Sequence, residues 1–192
     1  MKKEVVMAIV LLALGTAGPL ATAAPQANTD QKPTLASVFD HSLSEVEKEF
    51  VSAAEAMPDN KFNFAPTQGE FKGVRTFAQQ VKHVAAVNYI LGAAILSEKP
   101  PVNVGNENGP DNLTSKADII KFLKDSFDYL HKSLANLDEN NVLTPMQSPF
   151  GSNKTTRLRL TLIALGHPFD HYGQMVEYLR MNNIVPPASR GQ

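Results

Sequence analysis

Two histidines four residues apart, His167 and His171, stand in the run Gly166-His167-Pro168-Phe169-Asp170-His171-Tyr172-Gly173-Gln174. An α-helix advances about 100° per residue, so such a pair lies on one face with one ring above the other. Both rings can then reach a single metal ion. A third histidine, His83, falls in the amphipathic segment Phe77 to Leu96. If the two segments pack together, three neutral imidazoles converge on a divalent ion and leave a coordination position open, as in catalytic rather than structural sites. Burying three unpartnered imidazoles is costly, and coordination removes that cost.

Each of these residues also has an ordinary explanation. A lone histidine at the edge of an apolar stripe, as His83 is, usually bonds a backbone carbonyl. An H-x-x-x-H spacing also arises by chance. It is not a zincin motif here, because Pro168 stands where that motif requires Glu. Pro168 removes a backbone donor and crowds the Ala164 carbonyl, so a kink beside Gly166 is expected, one that could aim His167 inward or spoil the spacing. Asp170 and Gln174 are candidates to orient an imidazole through its second nitrogen. Tyr172 and Tyr178 could donate to a bound ligand, or simply pack. His41 lies off the stripe of its helix and is expected in solvent; His131 flanks its stripe and is expected at the surface.

Other chemistries are harder to build from these residues. The chain has no cysteine, which removes disulfides, thiolate metal sites, iron–sulfur ligation and a cysteine nucleophile together. Di-iron bundles need Glu-x-x-His motifs, and none is present. A haem held by His and Met would draw on Met175 or Met181, but a histidine pair at helical spacing favours a small ion. No G-x-S-x-G elbow and no glycine-rich phosphate loop occurs. The net charge is −1, with 18 basic and 19 acidic residues, which argues against nucleic acid as a partner.

The elements that must position the histidines read as helices. Leu35, Phe39, Leu43, Val46 and Phe50 form the stripe of a first helix from Thr34 to Ala56, stopped by Pro58. Thr76 and Gln79 make a capping box for a second, with Phe77, Val81, Val84, Asn88, Leu91 and Ile95 along one side. Ser115 and Asp118 open a third, striped by Ile119, Leu123, Phe127, Leu130, Leu134 and Leu137. A fourth runs from Thr156 to Asn183, before Pro186-Pro187. No alternating strand pattern separates them. The fold class is all-α, a four-helix bundle. Its connections are longer than is usual between bundle helices, so they allow crossovers or build the mouth of a site.

The N-terminus has Lys2 and Lys3, the apolar run Val5 to Leu14, and Ala21-Thr22-Ala23-Ala24. That is the pattern of a secretory signal peptide, residues 1–23, too short to span a bilayer. A flexible lead-in, 24–33, and a bundle domain, 34–189, complete the division. A periplasmic or secreted protein with no stable membrane anchor after cleavage is expected.

The stretches Thr76-Phe77-Ala78-Gln79-Gln80-Val81-Lys82-His83-Val84-Ala85 and His171-Tyr172-Gly173-Gln174-Met175, with Tyr178-Leu179-Arg180 and Pro186-Pro187 after it, resemble the DinB-like superfamily. This is a group of metal-binding four-helix bundles, also called damage-inducible or YfiT-type. Carried over by position, the resemblance implies that His83, His167 and His171 ligate a divalent metal ion, zinc or nickel foremost, completed by water or substrate. Some members are thiol-dependent transferases or isomerases, but reduced thiols are scarce outside the cytoplasm, against that chemistry in an exported chain. Bundles of this type often pair through helices, so a homodimer is among the expectations. Two functions follow: a metal-dependent hydrolase or transferase acting on an unidentified small molecule, or a bundle that binds metal or ligand without chemistry.

Overall fold

The computed structural model describes residues 32–191. The expected signal segment, 1–23, lies outside the described residues, as does the lead-in except Lys32 and Pro33. Four long helices dominate: α1 (Leu35–Ala56), α2 (Phe77–Leu96), α3 (Lys116–Leu134) and α4 (Arg157–Met181). Each begins at a hydroxyl that caps a backbone N–H of the first turn: Thr34, Thr76, Ser115 and Thr156. The Thr76–Gln79 box forms in full, with the Gln79 side chain accepting from the Thr76 N–H at 2.8 Å. A second box, Thr34 with Ser37, caps α1. Met57 leaves α1 in an extended conformation before Pro58, as the residue before a proline prefers.

Main packing runs between α1 and α3, α1 and α4, α2 and α3, and α2 and α4. The chain therefore crosses the bundle between α1 and α2, and again between α3 and α4. The long first and third connections are these crossovers. Residues of the first also close the start of α2: the Phe77 and Ala78 N–H groups donate to the carbonyls of Phe64 and Phe62, both at 2.8 Å. The third connection departs from the all-helical expectation. It carries a small antiparallel hairpin of β1 (Pro145–Gln147) and β2 (Lys154–Thr156), with Met146 opposite Thr155.

The apolar stripes of α1 and α3 are buried as expected except at Leu35, which is half-buried, and Phe50 meets Phe127 at the centre with ring centroids 6.4 Å apart. α2 is different. Its expected stripe is buried, but so are Ala78, Gln80, His83, Ala85, Ala86, Val87, Tyr89 and Gly92, because loops cover the side that helices leave open. Gly92 allows α2 to approach α3 closely: a Cβ there would come within 2.8 Å of Ser133 Oγ and 3.0 Å of the Tyr129 ring. Arg157, at the start of α4, donates from Nε to the Ile95 carbonyl at 2.8 Å, at the end of α2. The two helices thus run antiparallel, which brings the first half of α2 beside the middle of α4.

α4 runs without interruption through Pro168, which is buried. The proline therefore does not separate His167 from His171, and the straight-helix spacing holds across it.

Because Phe127 is fully buried between α1 and its own helix, Phe127→Ala is expected to destabilise the fold by about 3–5 kcal/mol, read as a lowered urea midpoint at unchanged slope.

Candidate metal centre

The antiparallel packing of α2 on α4 brings His83, His167 and His171 together. Their ring nitrogens lie within 4.8 Å of one another, and among the described residues no cysteine or carboxylate joins the group. His167 Nε2 is 3.1 Å from His83 Nε2 and 3.1 Å from His171 Nε2. A tetrahedral ion bonded at about 2.0–2.1 Å would hold its nitrogens roughly 3.3 Å apart, so the three atoms already sit near coordination spacing.

Which nitrogen carries the proton is fixed by neighbours. His83 Nδ1 lies 2.5 Å from the backbone carbonyl of Glu107, which can only accept, so the proton is on Nδ1. His171 Nδ1 donates to the side-chain oxygen of Gln80, whose amide nitrogen in turn donates to Gln174 Oε1 at 2.8 Å. Both rings therefore turn a bare Nε2 lone pair inward. His167 Nδ1 is buried with no hydrogen-bond partner among the described residues. If His167 carries its proton on Nε2, it can satisfy only one of its two neighbours. If on Nδ1, three lone pairs face one another. A cation resolves either case.

A proton is a poor candidate for that cation. Burial, with the charges of His171 and His83 added, pushes His167 down to about 3, against a partial upward pull from Asp170. His171 falls to about 4, again mainly through burial, then through His83 and Arg75. Burial also lowers His83, opposed by its bond to the Glu107 carbonyl. The three rings are neutral at ordinary pH, the form that ligates metal.

The loop after α2 supplies the Glu107 carbonyl through a run of left-handed residues: Gly105, Asn106, Glu107 and Gly109 all have positive φ. Gly105 has no substitute, since a Cβ there would lie 2.0 Å from the Gly109 carbonyl oxygen. This contact left no trace in residue types, because every residue carries a carbonyl. Gln80 did leave one: it stands three residues before His83 and shares its helix face, a polar residue in a mostly apolar helix.

The other expectations divide. Asp170 is exposed and touches no imidazole, and Gln174 acts one step removed, through Gln80. Tyr172 donates to Glu49 at 3.0 Å, tying α4 to α1, and Tyr178 donates to the Arg75 carbonyl at 3.1 Å. Neither reaches the histidines. His41 is exposed beside Glu45. His131 is not freely exposed: it is half-buried between α3 and α1, with Asp40 at 2.6 Å and Glu47 at 3.1 Å.

A family model described as the DinB superfamily matches residues 42–175, more than half of the chain. The chain belongs to the DinB superfamily. Two crystal structures share its fold. The DinB-like protein YjoA of Bacillus subtilis superposes with a TM-score of 0.60 at 16% identity, covering 76% of this chain and 92% of that one. A DinB-like protein of Bacillus cereus does so with a TM-score of 0.58 at 13% identity, over 78% and 93%. No curated protein matches the chain. At these identities the likeness is one of fold. The candidate metal centre of this DinB-superfamily member rests on its own side-chain geometry.

The lowered histidines have a consequence for the metal-free protein. Below about pH 6.5 the unfolded chain takes up protons on His83, His167 and His171 that the folded chain refuses, so stability falls as pH drops towards 4. Urea midpoints measured from pH 7 to 4 are expected to fall more steeply for the wild type than for His167→Phe, in which one such group is gone.

Proposed function

We infer that this chain is an exported metal-dependent enzyme, a hydrolase or transferase acting on a small molecule. His83, His167 and His171 are its ligands to a divalent ion, zinc or nickel. The observation that supports the reading is the convergence of three neutral imidazole Nε2 atoms, with no carboxylate or thiolate among the described residues in reach of the same ion. Three imidazoles leave at least one coordination position for water or substrate. When bound, a divalent ion there supplies a Lewis acid that brings a water pKa towards about 7 or polarises a carbonyl.

The chain's own residues prepare that position. The Glu107 carbonyl and the Gln80 amide hold two rings in the ligating tautomer, and Gln174 holds Gln80. Burial keeps all three rings unprotonated, so metal competes with few protons at neutral pH. A cavity of about 650 Å³ opens beside Gln80 and Gln174, large enough for a small molecule. The signal-peptide pattern of residues 1–23 supports a periplasmic or secreted location.

Metal content by mass spectrometry of untagged protein tests the ligand set. Wild type is expected to carry near-stoichiometric metal and His171→Ala to lose it. A wild type that takes up neither zinc nor nickel would overturn the metal reading, and a loaded protein that turns over no ester, amide or transfer substrate would favour the binding bundle. Gln80→Leu, which frees the His171 ring without touching a ligand, is expected to weaken metal affinity by about 10–100-fold. N-terminal sequencing of the exported protein is expected to begin at Ala24.

A further inference from the structure

The cavity beside Gln80 and Gln174, one contact removed from His171, is lined by Arg75, Gln79, Gln80, Lys82, Asp111 and Gln174, among others. Two of these, Gln80 and Gln174, are the amides that hold His171. The wall of the cavity is therefore the support of the metal centre. Its charges do not balance: Arg75 and Lys82 face one carboxylate, Asp111. Neither cation makes an ion pair among the described residues, where every salt bridge lies elsewhere.

The two cations are not equally free. Lys82 Nζ is engaged by the carbonyls of Pro110 at 2.9 Å and Leu113 at 3.3 Å, which pin the loop to α2. Arg75 uses one nitrogen on Asn108 Oδ1, at 3.3 Å. A guanidinium has five N–H donors in a planar fork, so most of this one's capacity is unspent. Its root is fixed, because the buried Tyr178 hydroxyl donates to the Arg75 carbonyl. The guanidinium charge also bears on all three histidine rings. A half-buried cation aimed into a cavity next to a dication site is repelled unless an anion lies between them.

We propose that Arg75 is the anchor for a carboxylate of the substrate, so that the small molecules taken by this site are organic monoanions. Arg75 grips the carboxylate at one end, and the rest of the molecule extends along Gln79 and Gln174 towards the histidines. A singly charged carboxylate fits better than a phosphate. Before any metal is counted, the lining residues carry an excess of one positive charge, and Asp111, with Asp170 against Gln174 close by, repels a second negative one. The planar guanidinium fork matches the two oxygens of a carboxylate. The role as substrate anchor rests on the metal-site reading above; the binding of the anion does not.

The test uses ligand-observed NMR titrations of metal-stripped and zinc-loaded protein with three probes: monomethyl succinate, the neutral dimethyl succinate, and inorganic phosphate. Monomethyl succinate is expected to bind both forms, more tightly than either other probe. Arg75→Met is expected to weaken it by about tenfold or more, the loss of a charge-assisted pair, with stoichiometric zinc uptake retained and thermal unfolding unchanged. Arg75→Lys, which keeps the charge but loses the fork, is expected to fall between. Lys132→Gln, the same change in net charge on the exposed face of α3, is expected to bind as wild type does. Equal affinity in Arg75→Met and wild type, binding of the neutral diester as tight as the monoanion, or preference for phosphate would each overturn the proposal. Zinc uptake without Arg75-dependent binding removes this inference alone. Arg75-dependent binding without zinc uptake removes the metal reading alone and leaves an anion site.

Discussion

Three imidazole nitrogens pressed together out of water are the constraint on which the site is built. Of nitrogens 3.1 Å apart, two are committed as lone pairs, so at most one of the two contacts can be a hydrogen bond unless a positive charge lies among them. Burial denies that charge to a proton, since His167 and His171 fall to about 3 and 4. The fold therefore carries a local electrostatic cost, sustained by packing elsewhere, which a divalent ion would relieve. The fully buried residues of α1, α2 and α3 supply that packing around the Phe50–Phe127 contact.

The route of the chain follows from the same need. α2 packs against α3 and α4 and is roofed by loops, so it is buried on nearly every side. One of those loops ends the isolation of His83 by offering the Glu107 carbonyl from a left-handed run. Another leads through Arg75 into the Thr76 cap, so the cavity's largely unspent guanidinium and the first turn of α2 are one continuous piece of chain. Site and mouth are thus built where the middle of α4 meets the first half of α2 and the segments that flank it.

Pro168 shows how tertiary packing outweighs a local rule. An interior proline costs a helix about 3 kcal/mol in isolation. Here its ring is buried and α4 continues on both sides. The helix is clamped at its start by Arg157 on the end of α2 and along its length by Tyr172 on Glu49 and Tyr178 on the Arg75 carbonyl. Those contacts fix the helix on both sides of the turn that lacks the hydrogen bond.

The sequence by itself determined what is local. Capping hydroxyls and apolar spacing set where each helix begins and which face it buries, because those depend only on neighbours within a turn or two. The pairing of His167 with His171 is equally local, one helical turn apart. That His83 completes the set was readable only as a condition, since it depends on the register of α2 against α4, which Arg157 and the crossover loops decide. The hairpin, the crossovers, the Gln80 and Glu107 bonds that choose the tautomers, and the place of Arg75 over the cavity came from tertiary structure alone. Residues far apart in the chain interact through distance and orientation, and a backbone carbonyl or an unpaired guanidinium acquires its role only from what the fold sets beside it.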